Sequence, residues 1–76
     1  MKKAEREAKE TLLAAMEAYG DARHEAGYHN GFRVGAGDKP ERRQREVRWW
    51  EIVETNKTEM LRRIHAYAAV IRKARP

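Results

Sequence analysis

The stretch PERRQREVRWWEIVETNKTEMLRRIHAYAAVIRKAR, residues 40–75, decides the fold. After Pro40 it holds no glycine and no further proline, and it is rich in Glu, Arg, Ala and Met. Such residues favour the α-helix, and Pro is tolerated in a first turn. The run predicts one helix over about 40–75, roughly 50 Å long at about 1.5 Å per residue. With Val47 as the zero of a helical wheel, Trp49, Trp50, Val53, Met60, Leu61, Ile64, Tyr67, Ala68 and Ile71 share one face. Trp50, Val53, Met60, Ile64, Tyr67 and Ile71 follow a three-four alternation along it. Lys57 sits in the middle of this face, and around Val47–Val53 the apolar side chains point nearly all round.

Upstream, residues 4–26 predict a partner helix. Ala4, Ala8, Leu12, Ala15, Tyr19, Ala22 and Ala26 recur at alternating four and three, the spacing of a coiled-coil seam. The seam is mostly alanine, so a second helix approaches closely. Between the helices, residues 27–39 hold four of the five glycines. Gly27 suits the residue after a helix end, and Asn30-Gly31 between Tyr28 and Phe32 is a hairpin-turn signal. This stretch reads as a long Gly-rich connection, with Asp38 placed to cap the second helix. The fold class expected is all-α: a single domain over residues 1–76, an antiparallel two-helix hairpin. On these bounds the first helix is about 33 Å long, which leaves roughly 15–20 Å of the second uncovered. That excess and the apolar surface of the second helix predict assembly into a helical-bundle homo-oligomer.

The chain of 76 residues is short for a self-sufficient core, and it has no cysteine for a disulfide or a thiolate metal site. The longest apolar run, Ala66–Ile71, falls far short of a membrane span. Lys2 and Lys3 precede no apolar stretch, so no secretory signal is read, and a cytoplasmic location is expected. The net charge is +5, all of it in residues 57–76, where Lys57, Arg62, Arg63, Arg72, Lys73 and Arg75 face Glu59 alone. Cations near a helix C-terminus also complement its dipole.

Several constellations suggest chemistry and fail on spacing. His24 and His29 are five apart, about 140° around a helix, where the zincin motif needs histidines four apart on one face. Gly35-Ala36-Gly37 lacks the Lys-Ser/Thr pair of a phosphate loop and the third glycine of a dinucleotide fingerprint. Glu41, Arg42, Arg43, Gln44, Arg45, Glu46 and Arg48 read as a solvated face paired four apart. No nucleophile–base pair, metal set or cofactor motif is present, and the expectation is a non-enzyme without cofactors.

Two functional readings stay open. In the first, Lys57, Arg62, Arg63 and the connection residues Arg33, Arg42 and Arg43 bind an anionic ligand, either a nucleotide signal or nucleic acid. Lys57 would lie in an oligomer-formed pocket with Thr55 and Asn56 beside it. In the second, the chain is a protein-interaction module, for example a phage inhibitor of a host defence or regulatory protein. The interface residues would be Trp49, Trp50, Ile52, Val53, Met60, Ile64, Tyr67 and Ile71; Trp is enriched at such surfaces.

Arg48-Trp49-x-x-Ile52-x-x-Thr55, with Leu61 and Ile64 further along the same helix, resembles the second helix of phage anti-CBASS sponge hairpins over residues 48–64. The resemblance implies a small oligomeric α-hairpin that sequesters cyclic nucleotide signals without cleaving them. The chain departs from that pattern in its long Gly-rich connection and in Lys57, where an apolar residue is usual.

Overall fold

A computed structural model describes residues 2–74. It contains two helices, α1 over Lys3–Ala36 and α2 over Pro40–Ala74. A turn of three residues, Gly37–Lys39, joins them, and they pack against each other as an antiparallel hairpin 58 Å long and 15 by 13 Å across. No described helix is long and apolar enough to cross a membrane.

The connection is far shorter than the 27–39 expected from the glycines. α1 runs through Gly27, Asn30-Gly31 and Gly35, and the connection is confined to 37–39. Glycine in a helix interior costs about 1 kcal/mol relative to alanine. Tertiary contacts outweigh that here: Asn30 and Arg33, in the glycine-rich turns, both bond Glu46 on α2. With 34 and 35 residues, the two helices match in length. The uncovered end of α2 that motivated an oligomer is therefore gone, and any case for assembly has to come from the surface.

The turn has one glycine that its geometry requires. Gly37 has φ 112°, in the region L-residues avoid. A Cβ there would also lie 3.4 Å from Arg42 Nη1. Arg42 folds back over the end of α1 and donates to the carbonyls of Ala36 at 2.6 Å and Gly37 at 2.8 Å. It thus satisfies two of the acceptors a helix C-terminus leaves open. At the start of α2 the Lys39 carbonyl accepts from the backbone N–H groups of Arg42 and Arg43. Asp38, expected to cap α2, instead stands between Arg33 and Arg43, 3.0 Å from Arg43 Nε.

The α1 seam read from the sequence is the one that packs from Ala8 on: Ala8, Leu12, Ala15 and Tyr19 are half-buried, Ala22 and Ala26 are buried, and Ala4 at its open end is exposed. The α2 seam keeps Val53, Met60 and Tyr67 of the expected alternation but takes Trp49, Arg63 and Val70 where Trp50, Ile64 and Ile71 were expected. It follows Arg42, Glu46, Trp49, Val53, Asn56, Met60, Arg63, Tyr67 and Val70, a strict alternation of four and three. Lys57 lies beside this seam and is exposed. Four of the nine seam residues are polar, so hydrophobicity alone does not select this face; their internal bonds make it tolerable. Among the described residues the buried core is Ala22, Ala26 and Val53, with Tyr19, Trp49 and Ile52 packed against it.

The glycines separate into two kinds by substitution. Gly37→Ala is expected to cost about 1 kcal/mol through left-handed strain, lowering Tm by several degrees. Gly31→Ala and Gly35→Ala, where a Cβ meets nothing within 4 Å, are each expected to add about 0.5–1 kcal/mol. Thermal and urea unfolding followed by circular dichroism checks both signs; destabilisation by Gly31→Ala would mean that α1 does not continue through the glycines.

Candidate interaction site

At the closed end of the hairpin, Glu46 is the hub of a polar clasp. Its side chain is 13% exposed and accepts from Arg33 Nε at 2.5 Å, Asn30 Nδ2 at 3.0 Å and Trp50 Nε1 at 3.0 Å. These bonds stabilise the carboxylate, that from Arg33 foremost, and hold its pKa at about 2, below the usual 4.5. The same bond raises the Arg33 pKa, so the guanidinium stays charged throughout. The clasp thus joins two turns of α1 to two turns of α2. Sequence reading placed Glu46 on a solvated face paired with Arg42. Arg42 instead caps α1 and lies 4.8 Å over the Phe32 ring, which stacks on Tyr28. Behind the clasp His29 stacks on Trp49 at 5.9 Å and lies 3.9 Å from Glu25. No cluster of three or more metal-ligating side chains occurs among the described residues.

The six cations assigned to an anionic ligand do not converge. Arg33 and Arg43 meet carboxylates, Arg42 meets carbonyls, and Arg62 and Arg63 both bond Glu59, at 2.6 and 2.8 Å. Lys57 makes no ion pair among the described residues and is exposed on a helix face. Its neighbours are committed too: Thr55 and Thr58 donate to the Glu51 and Glu54 carbonyls, and Asn56 to that of Ile52. A shallow groove lies nearby, lined by Thr55, Asn56, Thr58, Glu59 and Arg62, and Lys57 does not line it.

The expected interface residues divide between two surfaces. Val53 is buried, and Trp49, Ile52, Met60, Tyr67 and Ile71 are half-buried. Trp50 and Ile64 face outward, 40% exposed each, together with Val47 at 57% and Leu61 at 44%. These four are the large exposed apolar side chains of α2 among the described residues, and they recur at positions 47, 50, 61 and 64. The helical wheel places Leu61 on the apolar face with Trp50 and Val53, and the structure turns it outward with Val47. Their signal was present in the sequence as a second three-four alternation, one step away from the first. Leu13 and Met16 of α1 are exposed as well, and a groove lined by Leu12, Ile64, Tyr67, Ala68 and Ile71 joins the two helices on this side.

Comparison with family models, with curated proteins and with solved structures finds no match for the chain.

The clasp predicts a pH signature. Because the Glu46 pKa is lower folded than unfolded, its contribution is complete above the ordinary carboxylate range and is lost as pH falls from about 4.5 towards about 2. Glu46→Gln should lower Tm at pH 7, and its deficit against the wild type should shrink steadily between pH 5 and pH 2. A deficit that stayed constant over that range would exclude a charged clasp.

Proposed function

We propose that the chain is a non-catalytic, protein-binding helical hairpin whose working form is an assembly with further helices. The observation that carries this reading is the row Val47, Trp50, Leu61 and Ile64, exposed along one side of α2. Among the described residues, three side chains are buried and nine large apolar ones are exposed. A core that small is marginal for an independent domain, and exposed apolar surface such as the pairs Val47–Trp50 and Leu61–Ile64 on one side of a helix marks interaction sites. Trp50 has the features of an anchor: its indole N–H is already bonded to Glu46, which fixes the ring while leaving it 40% exposed. The resemblance of residues 48–64 to oligomeric phage hairpins points the same way on assembly.

The anionic-ligand alternative, whether nucleotide or nucleic acid, has less support. Five of its six cations are held by internal bonds, and the sixth stands alone. Neutralising phosphates would require breaking those bonds.

The test compares the wild type with Trp50→Ala/Leu61→Ala for mass by light scattering and for recovery of partner proteins from cell extract. Both positions are outside the buried core, and Glu46 keeps its bonds from Arg33 and Asn30 when Trp50 is removed, so the variant should keep its helicity, which circular dichroism checks. Association with itself or with another protein is expected for the wild type and should fall at least tenfold in the variant, about 1.4 kcal/mol or more. A wild type that associates with nothing, or a variant that associates equally well, would overturn the reading.

A further inference from the structure

We infer that the partner on this side of α2 is a second copy of the chain, paired antiparallel through positions 47, 50, 54, 57, 61 and 64. The inference rests on the reading of this surface as an interaction site and names its occupant.

Val47, Trp50, Glu54, Lys57, Leu61 and Ile64 alternate three and four along α2, as the intramolecular seam does, and all but Glu54 and Lys57 are apolar. A helix with two such seams has the pattern for pairing twice: once with α1, once outside the hairpin. The two charges sit at the centre, and neither Glu54 nor Lys57 makes an ion pair among the described residues, although both are exposed.

The pattern is complementary to its own reverse. A two-fold axis passing between Thr55 and Asn56 sets Trp50 against the partner's Leu61, Val47 against the partner's Ile64, and Glu54 against the partner's Lys57. The same rotation gives each contact again with the roles exchanged, as an isologous interface requires. Every position thus meets its complement: apolar on apolar four times, carboxylate on ammonium twice.

Other arrangements of the two copies fail on charge. A parallel, in-register pair sets Lys57 on Lys57 and Glu54 on Glu54. Sliding the antiparallel pair by one heptad sets Trp50 against the partner's Glu54, or Lys57 against the partner's Leu61, and leaves charges opposite apolar groups. Such mismatches are costly, which is how single polar positions fix register in coiled coils. The central pair, not the apolar ends, therefore determines direction and alignment. Lys57, which interrupts the apolar row when one chain is considered alone, becomes the residue that specifies it. Leu13 and Met16, on the same side of α1 by heptad position, extend the contact beside Leu61 and Ile64.

Charge reversal tests the register directly, with sedimentation equilibrium as the readout and circular dichroism as the check on helix content. The wild type is expected to dimerise. Glu54→Lys and Lys57→Glu each set like charges against one another twice, and each should raise the dimer Kd at least about tenfold. Mixing the two variants restores both opposite-charge pairs, so a heterodimer of near wild-type Kd is expected, and Glu54→Lys/Lys57→Glu should dimerise alone. If a single variant loses helix along with mass, the mixture still decides, because recovery of both supports the pairing and recovery of neither overturns it. A monomeric wild type, single variants as dimeric as the wild type, or a mixture that stays monomeric would each overturn it. If the charge variants associate normally while Trp50→Ala/Leu61→Ala does not, this pairing is wrong and the interaction surface stands.

Discussion

The ion pair between Arg33 and Glu46 is the constraint from which the rest of the hairpin follows. It lies at the closed end, a few residues from the three-residue turn, and fixes which faces of α1 and α2 meet. Once Glu46 faces α1, the heptad spacing carries Trp49, Val53, Asn56, Met60 and Tyr67 into the same seam. Trp50, Lys57, Leu61 and Ile64 are then turned to the side. A polar contact is thus the selector, while the apolar groups supply most of the attraction. The division is physically reasonable, because an apolar face roughly a third of the helix wide can roll by one position at little cost, whereas a carboxylate held by three hydrogen bonds cannot.

This explains what was legible in the sequence and what was not. α2 was legible because thirty-five residues without glycine or a second proline leave no alternative. The α1 seam was legible through Tyr19, Ala22 and Ala26 because alanine spacing has one low-energy use there. The glycines at 27, 31 and 35 misled because local propensity favours a break by about 1 kcal/mol per residue, while Asn30 and Arg33 gain partners only if the helix continues. Those partners are 16 and 13 residues away along the chain and invisible to any local window. The interface row was half legible for a related reason. Trp50 and Ile64 stood out as apolar, but they were assigned to the same face as Val53. Val47 and Leu61 became meaningful when the seam was located by Glu46.

The position of the charges also changes meaning once the fold is known. By composition the chain has an excess of five positive charges, which favours anionic partners in general. By geometry, the arginines near the turn serve the hairpin. Arg33 and Arg43 neutralise Glu46 and Asp38, and Arg42 closes the end of α1. Only Arg42 serves the carbonyls that the end of α1 leaves open; the other two pair with carboxylates beside the turn. The excess itself lies in residues 57–76, towards the C-terminal end of α2, where Arg72 and Lys73 complement the helix dipole.

A thin core and a polar selector together give the protein a specific kind of surface. An alanine-lined seam brings α1 and α2 close but buries little area, so the larger apolar side chains of α2 are displaced outward. Replacing Ala22 and Ala26 with leucine would increase burial only by driving the helices apart and breaking the reach of Arg33 to Glu46. The sequence retains the close approach, and what it forgoes inside appears outside as Val47, Trp50, Leu61 and Ile64. An exposed row of that size would favour indiscriminate association if it were purely apolar. Glu54 and Lys57 at its centre make association conditional, because any helix laid along the row must bring an acid and a base at matching positions. The same two residues that weaken the row as an apolar surface give it selectivity, and the reversed sequence of α2 itself meets that condition.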